Sequence, residues 1–426
     1  MIEINLIRQN KELVKENIKK KFQDHKLEIV DQIYQLDIDL RSCKTKADDL
    51  KALRNSLSKS IGNAMRDNNT QLADDLKKQV TSINVEIDKL DNQQDKLEKE
   101  THNKLLMIPN IIDDDVPIGK DANENVVISH HGTIKNFDYD IPYHIDIMRN
   151  LSGVDLDSAR KTSGAGFYYL EKDIARLHSA ILSYARDFMI DKGFTYCIPP
   201  FMIRNSVVSG VMSFEEMYDM MYKIEGEDLY LIGTSEHSMI GKFIDTIIKD
   251  DTLPLKYTSN SPCFRKEVGA HGIEERGVYR VHQFDKQEMV VVCRPQDSKD
   301  WFNKMISYSV EFFVSLDVPV RVVECCSGDL ADLKVKSCDI EAYSPRTKKY
   351  TEVCTCSNIG EAQSRRLKIR VDKDGTKYYP HTLNNTVVAP PRALIDLIEN
   401  NYQQDGSILI PKALQPYMGG KTIIKK

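Results

Sequence analysis

Two hydrophobic seams near the N-terminus, separated by a short polar segment, limit what this chain can fold into. Residues recur in each seam at alternating spacings of four and three, which is the repeat of a coiled coil. The first seam comprises Ile29, Ile33, Leu36, Leu40, Cys43, Ala47, Leu50, Arg54, Leu57 and Ile61. The second comprises Leu72, Leu76, Val80, Ile83, Ile87, Leu90 and Leu97, with polar Gln94 as an interruption. Because turn-forming residues 62–69 lie between the seams, they predict an antiparallel helical arm on the order of 50 Å long.

The charge of this arm leaves two interpretations open. Basic residues of the first helix outnumber the nearby acids Asp48 and Asp49. They include Arg41, Lys44, Lys51, Arg54 and Lys59. Such a run is typical of a solvated helix face, but binding to an RNA phosphate backbone also needs spaced cations. The 426-residue chain has a formal net charge of −5, so we expect any RNA contact on a local basic face.

The pattern changes after the linker-like residues 109–117. Strands are predicted at 229–232, 278–284, 288–292, 318–324 and 350–354, and helices at 169–192 and 391–403. No βαβ alternation carries a GxGxxG turn, which argues against a Rossmann nucleotide domain. The chain therefore predicts two domains, residues 1–108 and 109–426. The fold class is α+β, with the N-terminal coiled-coil arm followed by an antiparallel sheet flanked by helices.

Neither a signal peptide nor a membrane span is predicted. The N-terminus carries an early acid, Glu3, and no run of apolar residues approaches the roughly 20 that a span requires. We therefore expect a cytoplasmic protein. Its nine cysteines are scattered, as expected for reduced thiols. Cys325-Cys326 and Cys354-x-Cys356 lack the Cys-x-x-Cys spacing of a zinc site, so no zinc is expected.

Residues 264–288 have the composition of a nucleotide site. Two strand-like segments flank a loop with three glycines. Arg265 and Arg280 can neutralise phosphate charge, and Phe284 can stack on a base. Glu267 and Glu288 can accept hydrogen bonds from an amino group or a hydroxyl.

The order and spacing of this stretch resemble motif 2 of the class II aminoacyl-tRNA synthetases, and of the seryl-tRNA synthetases in particular. The resemblance implies that Arg265 bridges the amino acid carboxylate and the α-phosphate of ATP, and that Arg280 contacts pyrophosphate. Glu267 would accept a hydrogen bond from the adenine amino group, and Phe284 would stack on the ring. Lys266 and the backbone of Val281 complete the ATP contacts implied for this stretch.

Two further segments resemble the substrate loops of the same family. Residues 234–236 resemble the loop that receives the ammonium group, which implies serine contacts from Thr234, Ser235 and Glu236. Residues 352–355 resemble the acidic strand that holds Mg²⁺ against the triphosphate. Oxygen atoms of Glu352 and Thr355 would bind this hard cation. Thr355 replaces the family's usual serine but keeps the hydroxyl. The backbone and side chains of Val353 and Cys354 would contact ATP as well.

The segments that resemble motifs 1 and 3 extend the comparison over nearly the whole chain. Residues 384–392 resemble motif 3, in which Arg392 would clamp the γ-phosphate, although the prolines at 390 and 391 stand where the family often has glycines. Residues 195–202 resemble motif 1, the family's dimer interface, so a homodimer is expected. The resemblance implies catalytic roles for Arg265 and Arg392.

The resemblance also implies the reaction and the partners. Such an enzyme activates L-serine with Mg·ATP to seryl-adenylate and transfers serine to tRNA(Ser), and to tRNA(Sec) where that tRNA exists. Glu288 and Thr386 would read the serine hydroxyl, because polar groups paired with a substrate hydroxyl are left unpaired by alanine. The arm would cross the dimer to hold the tRNA.

Three other functions would share parts of this sequence pattern. A ligase that loads an amino acid onto a carrier protein would lack the arm. A non-catalytic RNA-binding relative would have lost charged ATP contacts, yet Arg265, Glu267, Arg280, Glu352 and Arg392 are all present. A duplicate synthetase that serves a natural-product pathway stays open, because its active site could be identical.

Overall fold

A computed structural model describes residues 1–267 and 277–426 of the chain. The glycine-rich part of the motif 2 loop, including Gly269, Ala270, His271 and Gly272, lies outside the described residues. The described chain divides into two compact units, Ile2–Pro109 and Asn110–Lys426, the latter together with Met1.

The helices and strands are numbered in chain order. The α-helices are α1 Ile4–Lys20, α2 Leu27–Arg66, α3 Thr70–Leu105, α4 His144–Asn150, α5 Leu156–Ser163, α6 Lys172–Asp191, α7 Asn205–Val211, α8 Phe214–Met220, α9 Ser235–Gly241, α10 Ser298–Ser315, α11 Ala362–Arg366 and α12 Pro390–Asn401. The strands are β1 Val126–His131, β2 Val154–Asp155, β3 Tyr169–Leu170, β4 Thr195–Tyr196, β5 Met202–Ile203, β6 Tyr230–Leu231, β7 Ile247–Lys249, β8 Leu255–Phe264, β9 Gln283–Cys293, β10 Val320–Glu324, β11 Lys336–Ser344, β12 Lys349–Gly360, β13 Arg370–Lys373, β14 Thr376–Tyr378, β15 His381–Val388, β16 Ile408–Leu409 and β17 Ile423–Ile424.

The N-terminal unit is an antiparallel pair of long helices, α2 and α3, with α1 packed against α2. Cys43 contacts the carbonyl of Leu90 across the pair, and Lys51 forms an ion pair with Asp91. Nearer the opposite end, Lys104 donates to Gln32. From the Gln32–Lys104 contact to the Cys43–Leu90 contact the residue numbers rise on α2 and fall on α3, as the predicted antiparallel arm requires.

The end of this arm differs from the prediction. Helix α2 continues through Gly62 to Arg66, so the turn is confined to residues 67–69. A single glycine costs a helix only about 1 kcal/mol relative to alanine, which is too little to end a helix that still buries Ala64. Asn68 supplies the left-handed turn residue (φ 55°), and Asn69 caps α3 by accepting from the Leu72 amide. Leu72 itself is 48% exposed, and the buried residue of this first turn is Ala73.

An antiparallel sheet dominates the second unit, which confirms the predicted α+β class. Eight strands lie in the order β1-β10-β11-β12-β15-β9-β8-β4, and only the short β4 pairs in parallel with its neighbour. Strand β9 shows how the two faces are used. Met289 and Val291 belong to the large core beneath α6, α10 and α12, whereas Val290 and Val292 pack in a second core with α9. Glu288 therefore lies on the same face as the second core.

Several predicted elements have different bounds in the structure. Residues 277–280 form a turn, so the strand predicted at 278–284 starts only at Gln283 and continues unbroken through the strand predicted at 288–292. Val278 is nevertheless 1% exposed. The alternation of apolar residues in this segment therefore predicted correctly that Val278 is buried, but not that the segment is a turn. The helix predicted at 169–192 begins at Lys172, because Tyr169 and Leu170 form strand β3, which pairs antiparallel with β2.

Among the described helices, none combines the length and the apolarity that crossing a membrane would require.

Candidate active site

A cavity of about 280 Å³ lies on the sheet face that carries Glu288. Strands β9, β12 and β15 supply much of its wall, and the start of α9 and the start of α12 supply more. It brings together fourteen of the residues predicted for ATP, serine or Mg²⁺. They are Thr234, Glu236, Arg265, Glu267, Arg280, Val281, Phe284, Glu288, Glu352, Val353, Cys354, Thr355, Thr386 and Arg392.

Two predicted substrate contacts do not line this cavity. The ammonium of Lys266 donates to the carbonyl of Tyr218 at 3.0 Å. Ser235 is fully buried in the first turn of α9. The backbone amide of Lys266 also donates to the carbonyl of Met220, so both its amide and its ammonium contact the end of α8.

One end of the cavity carries aromatic and cationic groups suited to a nucleotide. The guanidinium of Arg265 lies over the Phe284 ring, 5.4 Å from its centroid, and its Nε donates to the carbonyl of Gly233 at 3.2 Å. Arg280 Nη1 lies 3.3 Å from a carboxylate oxygen of Glu267. Glu267 has a left-handed backbone (φ 49°), which is uncommon for a residue other than glycine. The arginines are thus held by short polar contacts beside an aromatic ring.

A β-bulge places Glu352 and Thr355 on the same face of β12. Residues three apart on a regular strand point to opposite faces. Between β11 and β12, however, Ile340 pairs with Cys354 while Glu341 pairs with Glu352, so Val353 is an extra residue. This bulge restores the common face. Glu352 Oε1 and Thr355 Oγ1 lie 3.0 Å apart.

Arg392, in the first turn of α12, contacts Glu352; Glu352, Thr355 and Arg392 are called the Glu352 corner of the cavity below. Its Nη1 donates to the carbonyl of Glu352 at 3.0 Å and lies 3.3 Å from the Glu352 carboxylate. The guanidinium also covers the Tyr279 ring at 4.9 Å. Although removal from bulk water acts to raise the pKa of Glu352, the opposing effects, of which the charge of Arg392 is the largest, outweigh it, so the pKa is lowered. Glu352 is therefore held as an anion.

The oxygen atoms of this corner fit a magnesium ion. Mg²⁺ takes oxygen ligands. Glu352 Oε1 and Thr355 Oγ1, 3.0 Å apart, would supply two oxygen donors of this type. Among the described residues, Cys325, Asp329 and Asp339 form a second group with possible metal-ligand atoms close together. Asp339 lies beside Thr355 and joins that group to this corner.

The other end of the cavity is acidic. Glu288 and Thr386 are directly opposite each other on β9 and β15. The buried ammonium of Lys286 forms an ion pair with the Glu288 carboxylate, and Thr234 lies 3.3 Å from the same carboxylate. Thr234 also caps α9 by accepting from the amide of Glu236. The Thr234 side chain therefore both caps α9 and lines the cavity.

Glu236 is held by two neutral amides. Gln363 and Asn384 each donate to its Oε1, at 2.8 and 2.9 Å. Burial, followed by the nearby charge of Glu288, raises the pKa of Glu236 to about 7, against the opposing effects of Gln363, Lys286 and Lys334. An added cation here would relieve the repulsion between two carboxylates.

Sequence reasoning missed Lys286, Asn384, Gln363 and Asp339. Strand alternation could have found the first two, because Lys286 precedes Glu288 by two and Asn384 precedes Thr386 by two, and residues two apart share a face. Gln363 comes from α11 and Asp339 from β11. Nothing in the sequence around Gln363 or Asp339 indicates that these two residues contact the cavity residues.

The predicted RNA-binding cations all lie on α2 of the N-terminal unit. Arg41 is paired with buried Asp37 at 2.9 Å, and Lys51 is paired with Asp91 at 2.9 Å. Arg54 is partly buried at its seam position. Lys44 and Lys59 are exposed, and no ion pair is found for them within the described part of the chain.

Comparisons with known proteins agree along the whole chain. Residues 1–112 match the seryl-tRNA synthetase N-terminal domain, and residues 202–401 match the tRNA synthetase class II core domain of the G, H, P, S and T enzymes. A serine–tRNA ligase of Pyrococcus horikoshii is 39% identical over 446 aligned positions, which cover 100% of this chain and 98% of the relative.

Solved structures give the same result. The crystal structure of seryl-tRNA synthetase from Pyrococcus horikoshii complexed with ATP has a TM-score of 0.94 at 38% identity, covering 100% of this chain and 99% of that one. A cytoplasmic serine–tRNA ligase from Naegleria fowleri in complex with AMP has a TM-score of 0.89 at 33% identity, with the same coverage. The chain therefore belongs to the seryl-tRNA synthetase family, a class II family of serine–tRNA ligases.

Proposed function

We propose that this chain activates L-serine with ATP to form seryl-adenylate and then transfers serine to tRNA(Ser). The observation that carries the proposal is a single cavity lined by Arg265, Arg280 and Arg392 together with Glu236 and Glu288. Cations suit a triphosphate, and carboxylates suit the ammonium group of an amino acid. The similarity to a synthetase solved with ATP supports the choice of nucleotide.

In the first step, a serine carboxylate oxygen attacks the α-phosphorus of ATP. The bond from that phosphorus to the bridging oxygen breaks, and pyrophosphate leaves with the electron pair. Arg265 bridges the carboxylate and the α-phosphate, so that both reactants and the developing charge are held by one planar fork. Arg280 contacts the departing pyrophosphate and Arg392 the γ-phosphate. These roles require positioning and charge stabilisation, and no covalent bond to the protein.

The adenine is assigned to Phe284, Glu267 and the backbone of Val281. Glu352 and Thr355 would hold Mg²⁺, with Val353 and Cys354 along the same strand. When bound, Mg²⁺ supplies charge neutralisation on the triphosphate. The lowered pKa of Glu352 keeps its carboxylate ionised for that purpose.

Serine selectivity is assigned to Glu288 and Thr386 at the acidic end. Both face the cavity from opposite positions of neighbouring strands. A site that pairs these polar groups with the substrate hydroxyl disfavours alanine, since alanine leaves them unpaired. Thr234 and Glu236 would receive the ammonium group. Ser235 and Lys266 are left out of this assignment, because neither lines the cavity.

In the second step, the 3′-hydroxyl of the terminal adenosine of tRNA attacks the carbonyl carbon of seryl-adenylate. The hydroxyl loses its proton, the carbonyl–phosphate bond breaks, and AMP leaves. Residues 1–108 are proposed as the tRNA-binding domain and residues 109–426 as the catalytic domain. Exposed Lys44 and Lys59 are the arm cations best placed to meet phosphates. The acceptors extend to tRNA(Sec) where that tRNA exists.

A homodimer in the cytoplasm completes the proposal. The residues that resemble motif 1 expose apolar surface: Ile198 is 74% exposed and Met202 is 50% exposed. They border an apolar groove that Pro199, Pro200 and Met239 also line. Apolar surface of this kind is typical of a protein interface.

The decisive experiment is ATP–pyrophosphate exchange with each of the twenty amino acids, followed by charging of total tRNA. Serine should support the fastest exchange, and the charged tRNA should be tRNA(Ser). Exchange that depends on another amino acid would contradict the serine assignment. Serine-dependent exchange without charging of any tRNA would instead separate activation from the proposed acceptor, and would favour a carrier protein.

A further inference from the structure

We propose that Asp339 is a positioning residue for magnesium, acting through the hydroxyl of Thr355. This inference rests on the proposed placement of Mg²⁺ at Glu352 and Thr355. Asp339 lies on β11 directly opposite Thr355 on β12. Its Oδ1 is 2.7 Å from Thr355 Oγ1.

The Thr355 hydroxyl lies between two carboxylates. Thr355 Oγ1 is 2.7 Å from Asp339 and 3.0 Å from Glu352. A hydroxyl has one proton and two acceptor lone pairs, so it can donate to only one of these neighbours. The shorter contact assigns the proton to Asp339. The lone pairs of Oγ1 are then directed toward the Glu352 side.

That orientation is what an ion at this corner requires. A neutral hydroxyl binds a cation through a lone pair, and its proton must point elsewhere. If the proton pointed to Glu352, it would lie between the two oxygen atoms that are proposed to bind the ion. Because Asp339 accepts the proton on the opposite side of Thr355, the space between these two oxygen atoms stays free of it. Partners that orient metal ligands in this way commonly change metal affinity 10- to 100-fold when they are mutated.

Asp339 is itself held in place. The thiol of Cys325 contacts its other carboxylate oxygen, Oδ2, at 3.5 Å. The β11–β12 pairing and the bulge at Val353 bring Asp339, Glu352 and Thr355 to one face of the sheet. The three oxygen-bearing side chains are therefore set by strand register, and their geometry does not depend on a surface loop.

A competing assignment shares some of these atoms. Cys325, Asp329 and Asp339 offer ligand atoms within 4.8 Å of one another and could bind an ion directly. Asp329 is exposed and belongs to this group of three residues. Among the described contacts, Thr355 is hydrogen-bonded to Asp339 and Glu352 but not to Asp329. Asp329 is therefore a matched control, because its removal should weaken a direct site but leave the Thr355 hydroxyl unchanged.

The test is a titration with Mn²⁺, a spectroscopic substitute for Mg²⁺, in the presence of a non-hydrolysable ATP analogue. Electron paramagnetic resonance reports the free ion, so the readout does not depend on catalysis. Asp339→Ala should weaken binding about tenfold. Asp339→Asn should stay within about threefold of wild type, since its amide oxygen still accepts from Thr355. Asp329→Ala should bind normally.

A double-mutant cycle tests whether Asp339 acts through Thr355. The variant Asp339→Ala/Thr355→Ala should bind no more weakly than Thr355→Ala alone. Independent, additive losses would overturn the inference, and so would normal binding by Asp339→Ala. An equal loss in Asp329→Ala would overturn it in favour of direct binding by the Cys325 group.

The same titration distinguishes this inference from the proposed metal placement. If Glu352→Gln and Thr355→Ala both bind Mn²⁺ normally, the placement itself is wrong. If they lose binding while Asp339→Ala does not, only the role of Asp339 is wrong. Circular dichroism checks that each variant is folded. Should Asp339→Ala not fold, Asp339→Ser replaces it, since the shorter side chain no longer reaches Thr355, and the same tenfold loss is expected.

Discussion

Neighbours in the arm and neighbours in the catalytic cavity are brought together in different ways. Along α2, the buried side chains of Ile33, Cys43 and Ala47 follow a local repeat that helix geometry dictates. In the cavity, Glu288 meets Thr386 because β9 pairs with β15, and Glu352 shares a face with Thr355 because β12 contains a bulge. The arm therefore tolerates change at many positions, whereas the cavity depends on a few contacts between distant segments.

The largest effect is expected at Arg265. Replacing Arg265 by Ala should reduce serine-dependent ATP–pyrophosphate exchange about 10³-fold, because the variant loses the fork that holds both reactants and stabilises charge at the α-phosphate. The adjacent Lys266→Ala is a matched control, since Lys266 contacts the carbonyl of Tyr218 outside the cavity. It should change exchange less than about threefold, as expected for a surface substitution. Equal losses in both variants would contradict the assignment.

The next effect tests serine selectivity. Thr386→Val keeps the shape of the side chain but removes its hydroxyl. We expect the KM for serine in pyrophosphate exchange to rise about 10- to 100-fold, which is the typical cost of an unpaired buried polar group. Exchange with alanine should change little, because alanine has no hydroxyl to lose. A parallel decline with both amino acids would indicate a packing role for Thr386.

The acidic end should also show a pH dependence. With the pKa of Glu236 raised to about 7, the empty site is protonated at lower pH, and serine must displace that proton when its ammonium group binds the carboxylate. Serine affinity should therefore weaken about tenfold for each pH unit below 7 and level off above it. Isothermal titration calorimetry in buffers of different ionisation enthalpy would measure the released proton. Affinity that is constant from pH 6 to 8 would contradict this role.

The same shift has the opposite sign for stability. The pKa of Glu236 is higher in the folded chain than in the unfolded one, so between about pH 4.5 and 7 the folded state binds more protons. Glu236 alone then makes unfolding easier as the pH rises through this range. Glu236→Gln should remove that contribution, and chemical denaturation at pH 5 and pH 8 would show whether the difference between the two pH values decreases.

The smallest effect is expected in the arm. Lys44→Ala/Lys59→Ala should lower kcat/KM for tRNA charging about fivefold and reduce its salt dependence, because two phosphate contacts are lost. Pyrophosphate exchange should not change. Lys77→Ala/Lys78→Ala is the control, since these residues pair with Asp74 and Asp75 on the same helix. If this control lost as much charging activity as the first variant, the face formed by Lys44 and Lys59 would not be the specific contact.

The comparison also explains which predictions could be made from sequence. Heptad spacing predicted the two long helices, because their packing repeats every three or four residues. Resemblance to family motifs identified most of the cavity residues, including Arg265, Glu267 and Arg392. It did not identify Lys266 as pointing away, nor Lys286 and Asn384 as partners of the acidic end. The direction of Lys266, which lies beyond the end of β8, depends on its contacts with α8. The roles of Lys286 and Asn384 depend on the strand face that each occupies and on the residues opposite.

The sequence by itself determined the helical arm and the mixed α+β class, which follow from residue types and from local spacing that acts over a few residues. The proposed nucleotide and serine contacts came from resemblance to the motifs of a family. Only the tertiary structure decided that α2 continues through Gly62, that the bulge at Val353 brings Glu352 beside Thr355, and that Asp339 accepts from that threonine. Strand register places such groups within 3 Å, and register depends on pairing between segments that are distant in the chain.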